Sequence, residues 1–156
     1  MAETPAAAPR FAVDALTLCQ VQLLHFTLDD TMPLLAIQGR YGFKSKADIL
    51  FSSLQADQLR VDVHTDINVP AKARMTGGTK PRVKARIAVV FEYRGLDDLR
   101  KNGKLPLQLA HTAVSLAYST MRGQLQARLA GTSFSGASLP IISPQQLWQP
   151  PVPAAE

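Results

Sequence analysis

The clearest signal in the chain is an alternation. Leu59, Val61, Val63, Ile67 and Val69 alternate with Arg60, Asp62, His64, Asp66 and Asn68, which predicts a β-strand with one apolar and one wet face. The pattern returns as Val83, Ala85, Ile87, Val89, Phe91 and Tyr93, opposed at first by Arg82, Lys84 and Arg86. If the two runs pair as an antiparallel hairpin, Asp62 and Asp66 share a solvent face with Lys84 and Arg86, and opposite charges across the strands favour that register. Residues 70–81, with Gly77 and Gly78, are then the reversing connection. An earlier run from about Ala15 to Leu28 places Leu16, Leu18, Leu24, Phe26 and Leu28 on one side and Cys19, Val21, Leu23 and His25 on the other. Both sides are largely apolar, as for a strand covered twice or facing another subunit. A further strand near Phe43 carries Phe43, Ala47, Ile49 and Phe51 opposite Lys44, Lys46 and Asp48.

From Leu105 the period changes. Leu107, Ala110, Val114, Ala117, Met121 and Leu125 recur at spacings of three and four, predicting a helix over Leu105–Leu129 that Gly131 ends. Leu109, Leu116 and Tyr118 lie off the centre of this stripe and give the helix more apolar perimeter than one sheet face covers. Asp97 to Lys101 read as a charged turn before the helix. After it, Leu139, Pro140, Ile141 and Ile142 form an extended apolar strap leading into a short helix near Ser143. The expected class is α+β: a four-stranded antiparallel sheet, a long C-terminal helix, an apolar strap and a short final helix. The folded body is expected over residues 11–148, between Ala/Pro-rich tails at 1–10 and 149–156.

Composition adds boundaries rather than chemistry. The 156 residues, 46% of them hydrophobic, suit one domain with apolar area to spare. No run approaches the roughly 18 apolar residues of a membrane span, and the N-terminus lacks the basic start and apolar centre of a secretory signal, so membrane insertion is not expected and the cytoplasm is. The lone Cys19 is expected to be a buried thiol. His25, His64 and His111 fall on separate elements without metal-ligand spacing. His64 is expected in solvent beside Asp62 or Asp66, and the other two packed with hydrogen-bonded edges. Gly131 to Gly136 lacks the spacing of a nucleophile elbow, and Gly77-Gly78-Thr79-Lys80 lacks that of a phosphate loop. The expectation is therefore no enzyme, no cofactor and no metal. The net charge of +5 is concentrated in Lys72, Arg74, Lys80, Arg82, Lys84 and Arg86, with no acidic residue between Asp66 and Glu92. That patch could meet phosphates, yet it holds no aromatic before Phe91 for base stacking, so nucleic acid is a minor reading.

The helix segment Ala117-Tyr118-Ser119-Thr120-Met121-Arg122-Gly123, the strap Leu139-Pro140-Ile141-Ile142-Ser143-Pro144 and the order of elements resemble SecB, the bacterial protein-export chaperone family. The resemblance implies subunits paired through the first strand and main helix, a dimer or a dimer of dimers (a homotetramer), and apolar grooves for unfolded or precursor polypeptides. On that basis the expected oligomer contacts are Val21, Leu23, Ala117, Tyr118 and Met121. The expected groove is Phe43, Ile49, Phe51 and Leu54 with Leu139, Ile141 and Ile142. SecB proteins are acidic where this chain is basic, so the resemblance leaves contact with the export motor open. The rival expectation is an interaction module for one dedicated partner, such as a toxin-antitoxin component.

Overall fold

The computed structural model describes residues 10–29, 41–69, 81–101 and 105–151. The two tails at 1–9 and 152–156, the Gly77–Gly78 reversal, and Lys72, Arg74 and Lys80 lie outside the described residues. A single 3-10 turn, Val13–Ala15, leads into β1 (Leu16–Asp29), followed by β2 (Gly42–Phe51), β3 (Gln58–Asn68) and β4 (Arg82–Tyr93). The strands form one four-stranded antiparallel sheet in the order β1-β4-β3-β2. Two hairpins thus occupy β2 to β4, and β1 returns beside β4 as an edge. The architecture is α+β, as the pattern predicts.

The hairpin register is the one that charge favours. His64 faces Arg86 and Asp66 faces Lys84, and Arg86 donates a hydrogen bond of 2.7 Å to the Asp62 carboxylate. Val61, Val63, Ile67, Val83, Ile87, Val89 and Phe91 point to the other face and are fully buried. There α2 (Leu107–Leu129) packs across β2, β3 and β4.

In β1 strict alternation fails. The pairing slips between Leu18 and Gln20 and again between Leu23 and His25, so Cys19 and Leu24 are extra residues at bulges. Each slip moves the following side chains to the opposite face. Leu16, Leu18, Val21, Leu23, Phe26 and Leu28 consequently face the same way as their partners Tyr93, Phe91, Val89, Ile87, Ala85 and Val83. Thr17, Gln20, Gln22, His25, Thr27 and Asp29 take the polar side. The strand is amphipathic with one apolar face instead of two, and Cys19 is exposed at its bulge rather than buried.

Asp97 to Lys101 belong to a helix rather than a turn, α1 (Leu96–Lys101). Its acids lie in the first turn and its bases in the last, matching the helix dipole, and Asp97 pairs with Lys101 one turn on. Buried Leu96 and Leu99 hold it to the body. The main helix starts two residues later than the pattern suggests, behind an extended Pro106, which leaves Leu107 exposed at its tip instead of on the buried stripe. Gly131, at φ +77°, supplies the left-handed residue that reverses the chain after Leu129. Beyond the strap, α3 (Pro144–Leu147) begins with Pro144 behind Ser143 and packs on α2 and β2. No helix among the described residues is long and apolar enough to cross a membrane.

Candidate polypeptide-binding surfaces

Phe43, Ile49 and Phe51 project from β2 toward the helix side, opposite Ile67, Val61 and Leu59. Because β2 is an edge strand, its neighbours cover it only in part. Phe43 and Ile49 are half-buried against the core, and Phe51 remains exposed with the Arg100 guanidinium 4.7 Å from its ring centre. Leu54, in the loop after β2, is 93% exposed.

The strap is fixed through its backbone. The Tyr118 hydroxyl donates to the Pro140 carbonyl at 2.8 Å, and the Arg122 Nε donates to the Leu139 carbonyl at 3.1 Å. Burial pushes the Tyr118 phenol above its usual pKa, which keeps it a donor across the physiological range. With its carbonyls held down, the extended segment buries Leu139, half-buries Ile142 and leaves Ile141 88% exposed. Of the seven expected groove residues, Phe51, Leu54 and Ile141 are accessible, three are partly so, and Leu139 is core.

The expected oligomer contacts divide in the same way. Val21 and Leu23 are 38% and 36% exposed on the apolar face of β1, beside Leu18 at 46%. Ala117, Tyr118 and Met121 are instead buried in the chain's own core, Ala117 and Met121 on the centre of the helix stripe and Tyr118 beside it with its hydroxyl on the strap. Leu116, on the outer side of α2, is 44% exposed. Leu18 falls in line with Val21 and Leu23 only through the first bulge, which has no signature in composition.

On the sheet's other face, Asp62 is 1% exposed, covered by Arg60 and Arg86, which both donate to it. Burial alone would raise its pKa, but the two guanidinium donors prevail and hold the carboxyl below its ordinary value. His64 is half-buried, and its Nε2 lies 3.5 Å from Asp48, the carboxylate it pairs with in place of Asp62 or Asp66. Burial first, then Arg86 and Lys46, lower its pKa. His25 is exposed, and His111 packs edge-on to Trp148 at 6.3 Å. Among the described residues, no group of three His, Cys, Asp or Glu is placed to hold a metal ion. Of the basic patch, Arg82, Lys84 and Arg86 are described, all on this open face.

No protein-family model matches the chain, and no curated protein does. Among solved structures, it is similar in fold to the Mycobacterium tuberculosis Rv1957 SecB-like chaperone, in complex with a ChAD peptide from the Rv1956 HigA1 antitoxin. The similarity has a TM-score of 0.57, covers 83% of this chain and 91% of that one, and carries 12% sequence identity.

Proposed function

We propose that this protein is a holding chaperone of SecB-like fold, which keeps non-native polypeptide segments from aggregating by binding them to apolar side chains at the β2 edge of its sheet and pairs with further copies of itself through apolar side chains at the β1 edge. The observation that carries this reading is the set of large apolar side chains left uncovered there: Leu18, Val21 and Leu23 on β1, and Phe51, Leu54 and Ile141 on the β2 side. Isolated exposed leucines are ordinary, but aligned ones on a built sheet face point to a partner. The solved neighbour, which holds a peptide, supports polypeptide as the partner class.

The two edges take different partners. The straight stripe on β1, with Leu116 of α2, is the surface for a second copy of the chain. The irregular trio of Phe51, Leu54 and Ile141, over half-buried Phe43, Ile49 and Ile142, is the surface for client. Fully burying one Leu or Phe yields about 1.5 to 3 kcal/mol, whereas micromolar affinity requires about 8 kcal/mol. A three-residue site is therefore weak alone. A dimer or dimer of dimers repeats it, so that one extended client engages several copies and dissociates slowly. Delivery of such clients for export belongs to this reading as its finer form, in the cytoplasm.

The test is suppression of aggregation of two unrelated chemically unfolded proteins, followed by light scattering. The wild type is expected to suppress both, and the triple variant Phe51→Ser, Leu54→Ser, Ile141→Ser to lose most of that effect while remaining folded. The neighbour's antitoxin peptide favours one rival, a module dedicated to a single partner. Failure to protect either protein would support that rival and overturn the general chaperone.

A further inference from the structure

The open face of the sheet, opposite α2, has a cleft of about 730 Å³ that none of the preceding roles uses. Its polar lining comes from two adjacent cross-strand rows. One row runs Lys44, Asp66 and Lys84, and the next runs Lys46, His64, Arg86 and His25. The carboxylates on this part of the face are already engaged: Asp62 with Arg60 and Arg86, Asp66 with Arg82, and Asp48 with Lys46 and His64. Lys44 and Lys84, on either side of Asp66, have no carboxylate within ion-pair distance among the described residues. The Arg86 Nε is buried without a hydrogen-bond partner. Surplus positive charge is therefore gathered in a concave surface, where low-dielectric walls concentrate the field.

We infer that this cleft binds an extended acidic polypeptide segment with carboxylates at alternating positions. The argument is one of spacing and charge. Rows on a sheet face lie two residues apart along the strand, about 6.6 Å. Side chains on one face of an extended peptide have the same period. A segment lying along β4 with acids at every second residue can set one carboxylate at Lys84 and the next at Arg86, while Lys44 and Lys46 add to the positive field from the far side of β3. A nucleic-acid strand fits less well. The cleft lining contains no Phe, Tyr or Trp on which bases could stack, and Asp48, Asp62 and Asp66 interrupt the positive surface that a continuous phosphate backbone follows. This surface is on the opposite face from the apolar stripe and strap, so the inference stands whether or not the chaperone reading does.

The test uses the full chain and a fluorescent ten-residue peptide alternating Glu and Ser, read by polarisation. The matched Lys/Ser peptide and a single-stranded oligonucleotide of equal charge serve as controls. Lys44→Glu with Lys84→Glu is the informative variant, because both side chains are exposed and neither forms an ion pair among the described residues. The acidic peptide is expected to bind, to weaken about tenfold or more in the variant, and to weaken again as salt rises. Lys101→Glu, on α1, is expected to leave binding unchanged. The inference is overturned if the double variant binds as the wild type does, if the Lys/Ser peptide binds equally, or if the oligonucleotide binds more tightly than the acidic peptide.

Discussion

β1 and β4 are neighbours with the same design and opposite fates. Each places an unbroken row of apolar side chains on the helix side of the sheet, and the rows are in register, Leu18 against Phe91, Val21 against Val89 and Leu23 against Ile87. The β4 members are fully buried, whereas those of β1 are 36 to 46% exposed. Intrinsic amphipathicity does not separate them. The footprint of α2 does, since the helix packs mainly over β2, β3 and β4 and touches β1 at Phe26, through Arg128. What buries a side chain in this fold is what lies above it: Arg128 of α2 reaches the Phe26 ring of β1 at 5.6 Å, whereas Leu18, Val21 and Leu23 stay exposed.

The comparison breaks most sharply by truncation on each side of it. Phe91→Ala removes a fully buried ring from beneath the helix and is expected to cost about 3 to 5 kcal/mol of subunit stability. Val21→Ser with Leu23→Ser is expected to change the unfolding midpoint far less at low protein concentration, where subunits are dissociated. The same pair is expected to reduce the solution mass from a multiple to a single subunit. Denaturant titration and light scattering read the two effects. A wild type of single-subunit mass at high concentration would remove β1 as an interface.

The alternation of β3 and β4 and the three-four spacing of α2 could be read from the chain because each element keeps one period throughout and was buried on one side only. β1 misled for a physical reason. Bulges at Cys19 and Leu24 add residues without altering composition, so a strict period of two divides one apolar face into two half-apolar ones. Of the candidate surface residues, Phe51, Leu54 and Ile141 are accessible, while Leu139, Ala117, Tyr118 and Met121 are core. Apolar identity alone does not say whether a residue faces its own sheet or a partner. That depends on how a strap is fastened and where a helix ends, as Leu107 illustrates by lying at the exposed tip of α2. The acidic-first, basic-last pattern of Leu96–Lys101 was visible as charge, but six residues give too little periodicity to distinguish a helix from a turn.

On the open face, burial comes from side chains rather than a helix, which sharpens the same rule. Asp62 is covered by Arg60 and Arg86, both partly exposed, so Asp62→Ala is expected to cost about 1 to 3 kcal/mol, less than a core truncation. Its folded pKa lies below the ordinary 3.8, so the ionised carboxylate stabilises the fold above that pH. The contribution is lost as pH falls below 3.8 toward the folded value. Wild type and variant should therefore converge in unfolding free energy under acid.

The strap supplies a smaller test on the β2 side. Tyr118→Phe deletes the donor to the Pro140 carbonyl and is expected to cost about 1 kcal/mol. It should also raise amide hydrogen exchange at Ile141 and Ile142 while leaving β4 protected. Equal exchange in the two proteins would mean that Arg122 alone holds the strap.

The smallest effect concerns His64, half-covered between Lys46 and Arg86 on the open face. Its folded pKa is lowered from 6.5 by burial and by those two cations, with Asp48 and Asp62 opposing them. A base with a lowered folded pKa binds its proton more readily in the unfolded chain. Its stabilising contribution is thus complete above pH 6.5 and declines as the pH falls through 6.5 toward the folded value. His64→Gln removes the titration without adding charge. The fall in unfolding free energy between pH 7.5 and 5.5 is then expected to be shallower in the variant than in the wild type, and parallel curves would mean that the solvent left to His64 screens both cations.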